Sequence, residues 1–182
     1  QMSKFLYDTW EPREPTPEPE DDEEDKEGTD ELIPPSLLQI QAHIATSDLV
    51  FDPQSIANYH LSVLTKPFVI LTGLSGTGKT QLTRLYAEAV YDIASGQPNP
   101  HYQLIAVRPD WNDHRGLLGY YNPLTEIYDA TPFLRFLLRA ACDLSHWYYV
   151  CLDEMNLARV EYYFSDFLSV LEAQDLLQLH PF

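Results

Sequence analysis

The sequence predicts an α/β fold in which a parallel sheet is flanked by helices. Three observations carry that expectation. Short apolar runs alternate with segments of helical period, the first run leads through a glycine-rich stretch into an amphipathic helix, and a later run ends in two acids. The pattern suits buried parallel strands, each followed by a crossover helix.

The elements follow in order. Pro34-Pro35 before Ser36 marks a helix start, and Leu37, Leu38, Ile40 and Ile44 form its apolar stripe. A second helix is predicted from Gln54 to Thr65, with Pro67 beyond it. Phe68-Val69-Ile70-Leu71 reads as the first strand. From Lys79 to Ala94, Leu82, Leu85, Ala89, Val90 and Ile93 trace one helical face, and Gly96 and Pro98 stop it. Tyr102–Val107 reads as the second strand. Residues 108–131 form a loop with a hairpin around Asn122-Pro123. Thr131-Pro132 begins a helix carried by Phe133, Phe136, Leu137, Ala140, Ala141 and Leu144. Trp147–Leu152 is the third strand. Leu157, Val160, Phe164, Phe167, Leu168 and Leu171 mark a final helix.

Charge divides the 182 residues in two. Residues 1–31 hold 13 acids against 3 bases, more than half of the net −17 in a sixth of the chain. The segment Glu11–Glu31 is Pro- and acid-rich without apolar residues, so it is expected to be a disordered tail or linker. Phe5, Leu6, Tyr7 and Trp10 either close an upstream domain or are an accident of sequence, and Gln1 in place of Met suggests a fragment or processed product. Residues 32–182 are expected to form the globular part. Its mild acidity excludes a basic nucleic-acid footprint, so DNA would be gripped by another domain or subunit. No apolar run is long enough for a membrane span or signal peptide, which makes a cytoplasmic location the default. Cys142 and Cys151 lack metal or redox spacing and read as buried thiols. His43, His60, His101, His146 and His180 show no ligand spacing and are assigned no role.

Gly73-Leu74-Ser75-Gly76-Thr77-Gly78-Lys79-Thr80 matches the phosphate-loop pattern G-x-x-x-x-G-K-[ST]. Glycines let the backbone curl so that successive N–H groups point at phosphate oxygens, and the helix that follows adds its dipole. Lys79 would reach the β- and γ-phosphates, and Thr80 would offer its hydroxyl to Mg²⁺. Downstream, the run WYYVCL ends in Asp153-Glu154, as a Walker B strand does. Parallel strands open their C-terminal ends to one crevice. There Asp153 would hold Mg²⁺, and Glu154 would orient the attacking water as the catalytic group. Capping of the next helix is the structural alternative for this pair. Asn156 would cap the last helix or contact the nucleotide region. Arg108, Asp110, Trp111, Asp113, His114 and Arg115 read either as a solvated loop with one packed tryptophan or as a loop meeting a substrate or neighbouring subunit.

With these residues in place, four segments together resemble McrB-like AAA+ proteins, the motor subunits of modification-dependent restriction systems. They are PFVILTGLSGTGKTQLTRLYAEA, VRPDW, GLLGYYNPLTEIYDATPFLRFLLRA and CLDEMNLARVEYYFSDFLSVLE, and the resemblance spans roughly residues 50–182. It implies a P-loop NTPase of AAA+ type, a homo-oligomeric ring that is usually hexameric, ATP or GTP as substrate, a McrC-type nuclease partner and a role in antiviral defence. It also implies that Lys79, Thr80, Asp153 and Glu154 carry the nucleotide and Mg²⁺ chemistry. An AAA+ core has five parallel strands and then a helical lid. Only three strands are expected here, and the sensor-1 strand, arginine finger and lid have no counterpart after Glu172. The Met-Asn motif that McrB-type proteins carry downstream of Walker B is absent too. The expectation is therefore the front half of an AAA+ module. Two readings follow: a nucleotide-hydrolysing motor part, or a nucleotide-binding regulatory module without turnover. A small-molecule kinase is a distant third.

Overall fold

The computed structural model describes residues 35–173. The acidic segment, the aromatic cluster before it, the first residues of the expected globular part and His180 lie outside them.

Ser36 opens helix α1, Leu37–Ala45, with a capping box. Its hydroxyl accepts from the Gln39 N–H at 3.3 Å, and the Gln39 side chain accepts from the Ser36 N–H at 3.0 Å. Asp52 caps α2, Pro53–Thr65, by accepting from the Ser55 N–H at 3.0 Å. Helix α3, Lys79–Val90, buries Leu82, Leu85, Tyr86, Ala87 and Glu88. It ends four residues before the expected Ala94. Asp92 takes a left-handed φ of 50°, and the Ile93 N–H returns to the Glu88 carbonyl at 3.0 Å, so a Schellman turn closes the helix even though the apolar period runs on to Ile93.

Strand β1, Tyr102–Ala106, is followed by the short helix α4, Arg115–Leu118. Strands β2, Gly119–Asn122, and β3, Ile127–Ala130, then form the antiparallel hairpin expected around Asn122-Pro123. Gly119 has a φ of 96°, and a Cβ there would lie 2.0 Å from the Asp129 carbonyl oxygen, so only glycine allows this approach. Thr131 caps α5, Pro132–Cys142, by accepting from the Leu134 N–H at 3.2 Å, and its hydroxyl donates to the Leu117 carbonyl. Strand β4, Tyr149–Asp153, pairs in parallel with β1 from Tyr102↔Tyr149 to Ala106↔Asp153. The expected final helix is broken into a 3₁₀ turn, Met155–Leu157, then α6, Val160–Tyr163, and α7, Ser165–Ala173. Extended Ala158 causes the first break. The Tyr163 hydroxyl donates to the Met155 carbonyl at 3.0 Å and holds the bend.

The fold is mixed α/β with a small parallel sheet and flanking helices. The parallel sheet has two strands among the described residues, where three were expected. Phe68–Leu71 is not a strand. β4 pairs with β1, no ladder reaches this segment, and Ile70 is 69% exposed. Side-chain packing holds it instead, with the Phe68 ring stacked on Phe164 at 5.7 Å.

Alternation along the two strands separates two apolar layers. Ile105, Val107, Val150 and Leu152 face a core with Leu117, Leu118, Phe133, Leu134, Tyr163 and Phe164. Tyr149 faces the opposite core of Ile40, Ile44, Ile56, Leu82, Leu85 and Tyr86. Helices α1–α3 thus cover one face of the pair and α4–α7 the other. Cys151 is half-buried in β4, but Cys142, expected to be buried, is exposed because α5 ends there on its solvent side. No helix among the described residues is long and apolar enough to cross a membrane.

Candidate functional site

The glycine-rich loop leads into α3 as the sequence suggests. Gly76 and Gly78 take left-handed φ values of 79° and 81°, which curl the chain into the helix. Gly78 is the N-cap of α3 and supplies no side-chain cap, so the first helical turn lacks a side-chain acceptor there. That end is electrostatically suited to an anion. Residues 72–77 are exposed, and Leu74 is 81% exposed. The Thr77 hydroxyl donates to the Leu74 carbonyl at 2.9 Å and braces the curl. The Lys79 ammonium donates to the carbonyls of Gly73 and Leu74 at 3.1 and 2.7 Å. The lysine therefore folds back over its own loop, with its charge set against two loop carbonyls.

Strand β4 delivers the acidic pair to this loop. The Thr80 hydroxyl donates to Asp153 Oδ1 at 3.1 Å, across 73 residues of sequence. The same oxygen accepts from the Glu154 N–H at 3.1 Å. The Asp153 carbonyl accepts from the Val107 N–H at 3.0 Å, which locks the end of β4 to the end of β1. Glu154 then leaves the strand with a left-handed φ of 53° and ψ of 44°. Such a conformation costs a non-glycine residue about 1–2 kcal/mol, and strain of this kind clusters at functional positions. Glu154 is exposed, stands at the N-cap of the 3₁₀ turn and makes no side-chain cap. Helix capping therefore does not account for the Asp-Glu pair. Asn156 lies inside the turn and caps nothing either, because the N-cap of α6 is Arg159.

The chain matches no family model, no curated protein and no solved structure. The chemistry of the site therefore rests on its own residues. The Thr80 hydroxyl and the Asp153 carboxylate are hard oxygen donors, half-buried and adjacent. That donor set fits Mg²⁺ and offers little to a soft metal.

Phe51 is a neighbour of the loop that the sequence did not signal. A Cβ on Gly78 would meet two Phe51 ring carbons at 3.2 Å, so the ring lies flush against the start of α3. No local pattern links residues so far apart.

The loop after β1 starts beside Asp153, through the Val107 N–H, and its charges pair within the loop. Arg108 makes two bonds to Asp110, both at 3.1 Å, and Arg115 lies 3.4 Å from Asp113. Trp111 packs edge-on against Tyr163 at 5.4 Å. A shallow cavity of about 420 Å³ lies among Arg108, Trp111, Asn112 and Tyr120. The solvated-loop reading with one packed tryptophan accounts for these contacts.

Proposed function

We propose that this chain binds a purine nucleoside triphosphate with Mg²⁺ at the Gly73–Thr80 loop and serves as the nucleotide-binding part of a McrB-like AAA+ motor. The observation that carries the reading is the 3.1 Å bond between Thr80 and Asp153. Two motifs whose chemistry requires a shared site lie far apart in sequence and meet at side-chain resolution.

In this reading the loop N–H groups and the uncapped end of α3 take the phosphates. Lys79 swings from the carbonyls of Gly73 and Leu74 to the β- and γ-phosphate oxygens. Mg²⁺, held by Thr80 and Asp153, would neutralise charge on those phosphates. Glu154, turned out of the strand, orients the attacking water. Charge building on the γ-phosphate needs a further cation. Each described arginine has a partner elsewhere: Arg84 with Glu88, Arg108 with Asp110, Arg115 with Asp113, Arg135 with the Ala130 carbonyl, Arg139 over Phe136 and Arg159 on Tyr162. That cation would come from a neighbouring copy. The ring, a McrC-type nuclease partner, a role in DNA restriction and a cytoplasmic setting rest on the resemblance alone.

One experiment tests the core of the proposal. A fluorescent ATP or GTP analogue is titrated against the wild type, Lys79→Ala and Glu154→Gln. Charge-assisted phosphate bonds contribute about 1.5–3 kcal/mol each, so Lys79→Ala should weaken binding roughly 10- to 150-fold. Glu154→Gln should bind as the wild type does and release no phosphate. Equal affinity of the wild type and Lys79→Ala would overturn the site.

A further inference from the structure

At the end of the parallel pair away from the phosphate loop, three ligating side chains converge among aromatic rings. His101 directly precedes β1, and its carbonyl accepts from the Tyr149 N–H at 2.8 Å, so the first rung of the ladder fixes its backbone. Asp143 follows the last turn of α5 and accepts from the Ser145 N–H at 3.1 Å, which shapes the turn that presents His146. His146 Nδ1 lies 3.0 and 2.9 Å from the two Asp143 carboxylate oxygens, and the Tyr148 hydroxyl donates to one of them at 2.9 Å. The rings of His101 and His146 are 4.6 Å apart and nearly parallel, and Tyr91 stacks on His101 at 4.4 Å. The Tyr91 hydroxyl donates to the Trp147 carbonyl at 2.6 Å.

Two facts point to a ligand. One donor atom from each of His101, Asp143 and His146 lies within 4.8 Å of the others. His101 Nδ1 is also buried without a hydrogen-bond partner among the described residues, whereas buried polar atoms are normally paired.

We propose that His101, Asp143 and His146 form a transition-metal site, separate from the phosphate loop, that takes Zn²⁺ or a similar borderline ion and pins the start of β1 to the turn before β4. Two imidazoles and one carboxylate favour Zn²⁺, Co²⁺ or Ni²⁺ over Mg²⁺ and Ca²⁺. Ligands on one ion at about 2.0–2.1 Å stand about 3.0–3.4 Å apart, so the three groups must close by an ångström or so. His146, the exposed member, makes that movement by turning toward His101. Burial first, and the neighbouring His146 second, hold the His101 pKa below its ordinary value, so it is neutral near pH 7 and ready to ligate. Hydrogen bonds from His146 and then Tyr148 lower the Asp143 pKa and keep it ionised. Three protein ligands leave a coordination position for water or a partner's side chain.

The test uses the whole 182-residue chain, stripped of metal by chelation and kept in millimolar Mg²⁺. Co²⁺ is added and followed by its visible absorption, then displaced with Zn²⁺. The expected result is one saturable Co²⁺ site that Zn²⁺ empties. His146→Gln and His101→Gln should each weaken Zn²⁺ binding at least about tenfold, Asp143→Asn should weaken it about 10- to 100-fold, and Lys79→Ala should leave it unchanged. His146 is exposed, so its variant isolates ligation from folding. No saturable binding up to roughly 100 µM Zn²⁺, affinity unchanged in both histidine variants, or loss in Lys79→Ala would overturn the proposal.

Discussion

His60 lies buried between α2 and α3, with Nδ1 3.0 Å from the Tyr86 hydroxyl in a layer otherwise made of Ile40, Ile44, Ile56, Leu82 and Leu85. Burial has opposite effects on the two partners. It lowers the His60 pKa and pushes the Tyr86 hydroxyl up to about 12, because the charged form is disfavoured in each case. The sign of the pH dependence follows. A histidine with a folded pKa below its ordinary 6.5 binds fewer protons in the native state than in the unfolded chain. Its contribution to stability is therefore full above about pH 6.5 and is lost as the pH falls toward the folded pKa. His101 acts in the same direction. Asp143, shifted below 3.8, contributes only to losses at still lower pH. The melting temperature should drop between pH 7.5 and 5.5, and His60→Gln should shrink that drop while lowering stability at pH 7.5 by about 1 kcal/mol. An identical drop in the variant would mean that the proton enters elsewhere. None of this could be read from the residue itself, because the sequence around His60 shows no feature that distinguishes it from a surface histidine.

Helix starts are where local chemistry and structure agree most closely. Ser36 with Gln39 and Thr131 before Pro132 each carry their cap in neighbouring residues, so a window of four residues contains the whole interaction. Thr131 does two things. It caps α5, and it ties that helix to the carbonyl of Leu117 at the end of α4. Thr131→Ala should cost about 1–2 kcal/mol in a denaturant melt, and Thr131→Ser should recover most of it, since serine keeps the oxygen. A full loss in the serine variant would assign the effect to the methyl group's packing instead. Helix ends and strand pairing were less legible. The apolar period through Ile93 hid the left-handed Asp92, and the stripe from Leu157 to Leu171 hid the break at Ala158. Phe68–Leu71 has strand composition, but composition cannot report whether a neighbour is present to receive its N–H groups. The same limit applied to His101 and His146. They have no ligand spacing along the chain and meet only because β1 and β4 run side by side.

Across the whole molecule, the two ends of the parallel pair carry different chemistry. Carbonyl ends of β1 and β4 lead to Thr80, Asp153 and Glu154, and amino ends gather His101, Asp143 and His146. The two patterns of the first group were legible, because a glycine-rich loop and an acidic strand end are each written in contiguous residues. The joining of Thr80 to Asp153 required the sheet. The lack of a ladder at Phe68–Leu71 has a consequence for how the loop responds to an occupant. One end of the loop continues into α3 and is held by its hydrogen bonds, while the other continues into backbone that no strand restrains. On that side the loop is held by the packing of Phe68 on Phe164 and not by a ladder, so its amides should trade deuterium with water faster than those of β4. A bound triphosphate would supply a further anchor. Hydrogen exchange across residues 68–78 should then slow with nucleotide and Mg²⁺, with little change in the interior of α3. Equal protection with and without nucleotide would show that the segment is already restrained. The entropy lost in that ordering is subtracted from the affinity, so a variant that stiffens Phe68–Leu71 without touching a phosphate contact would bind more tightly.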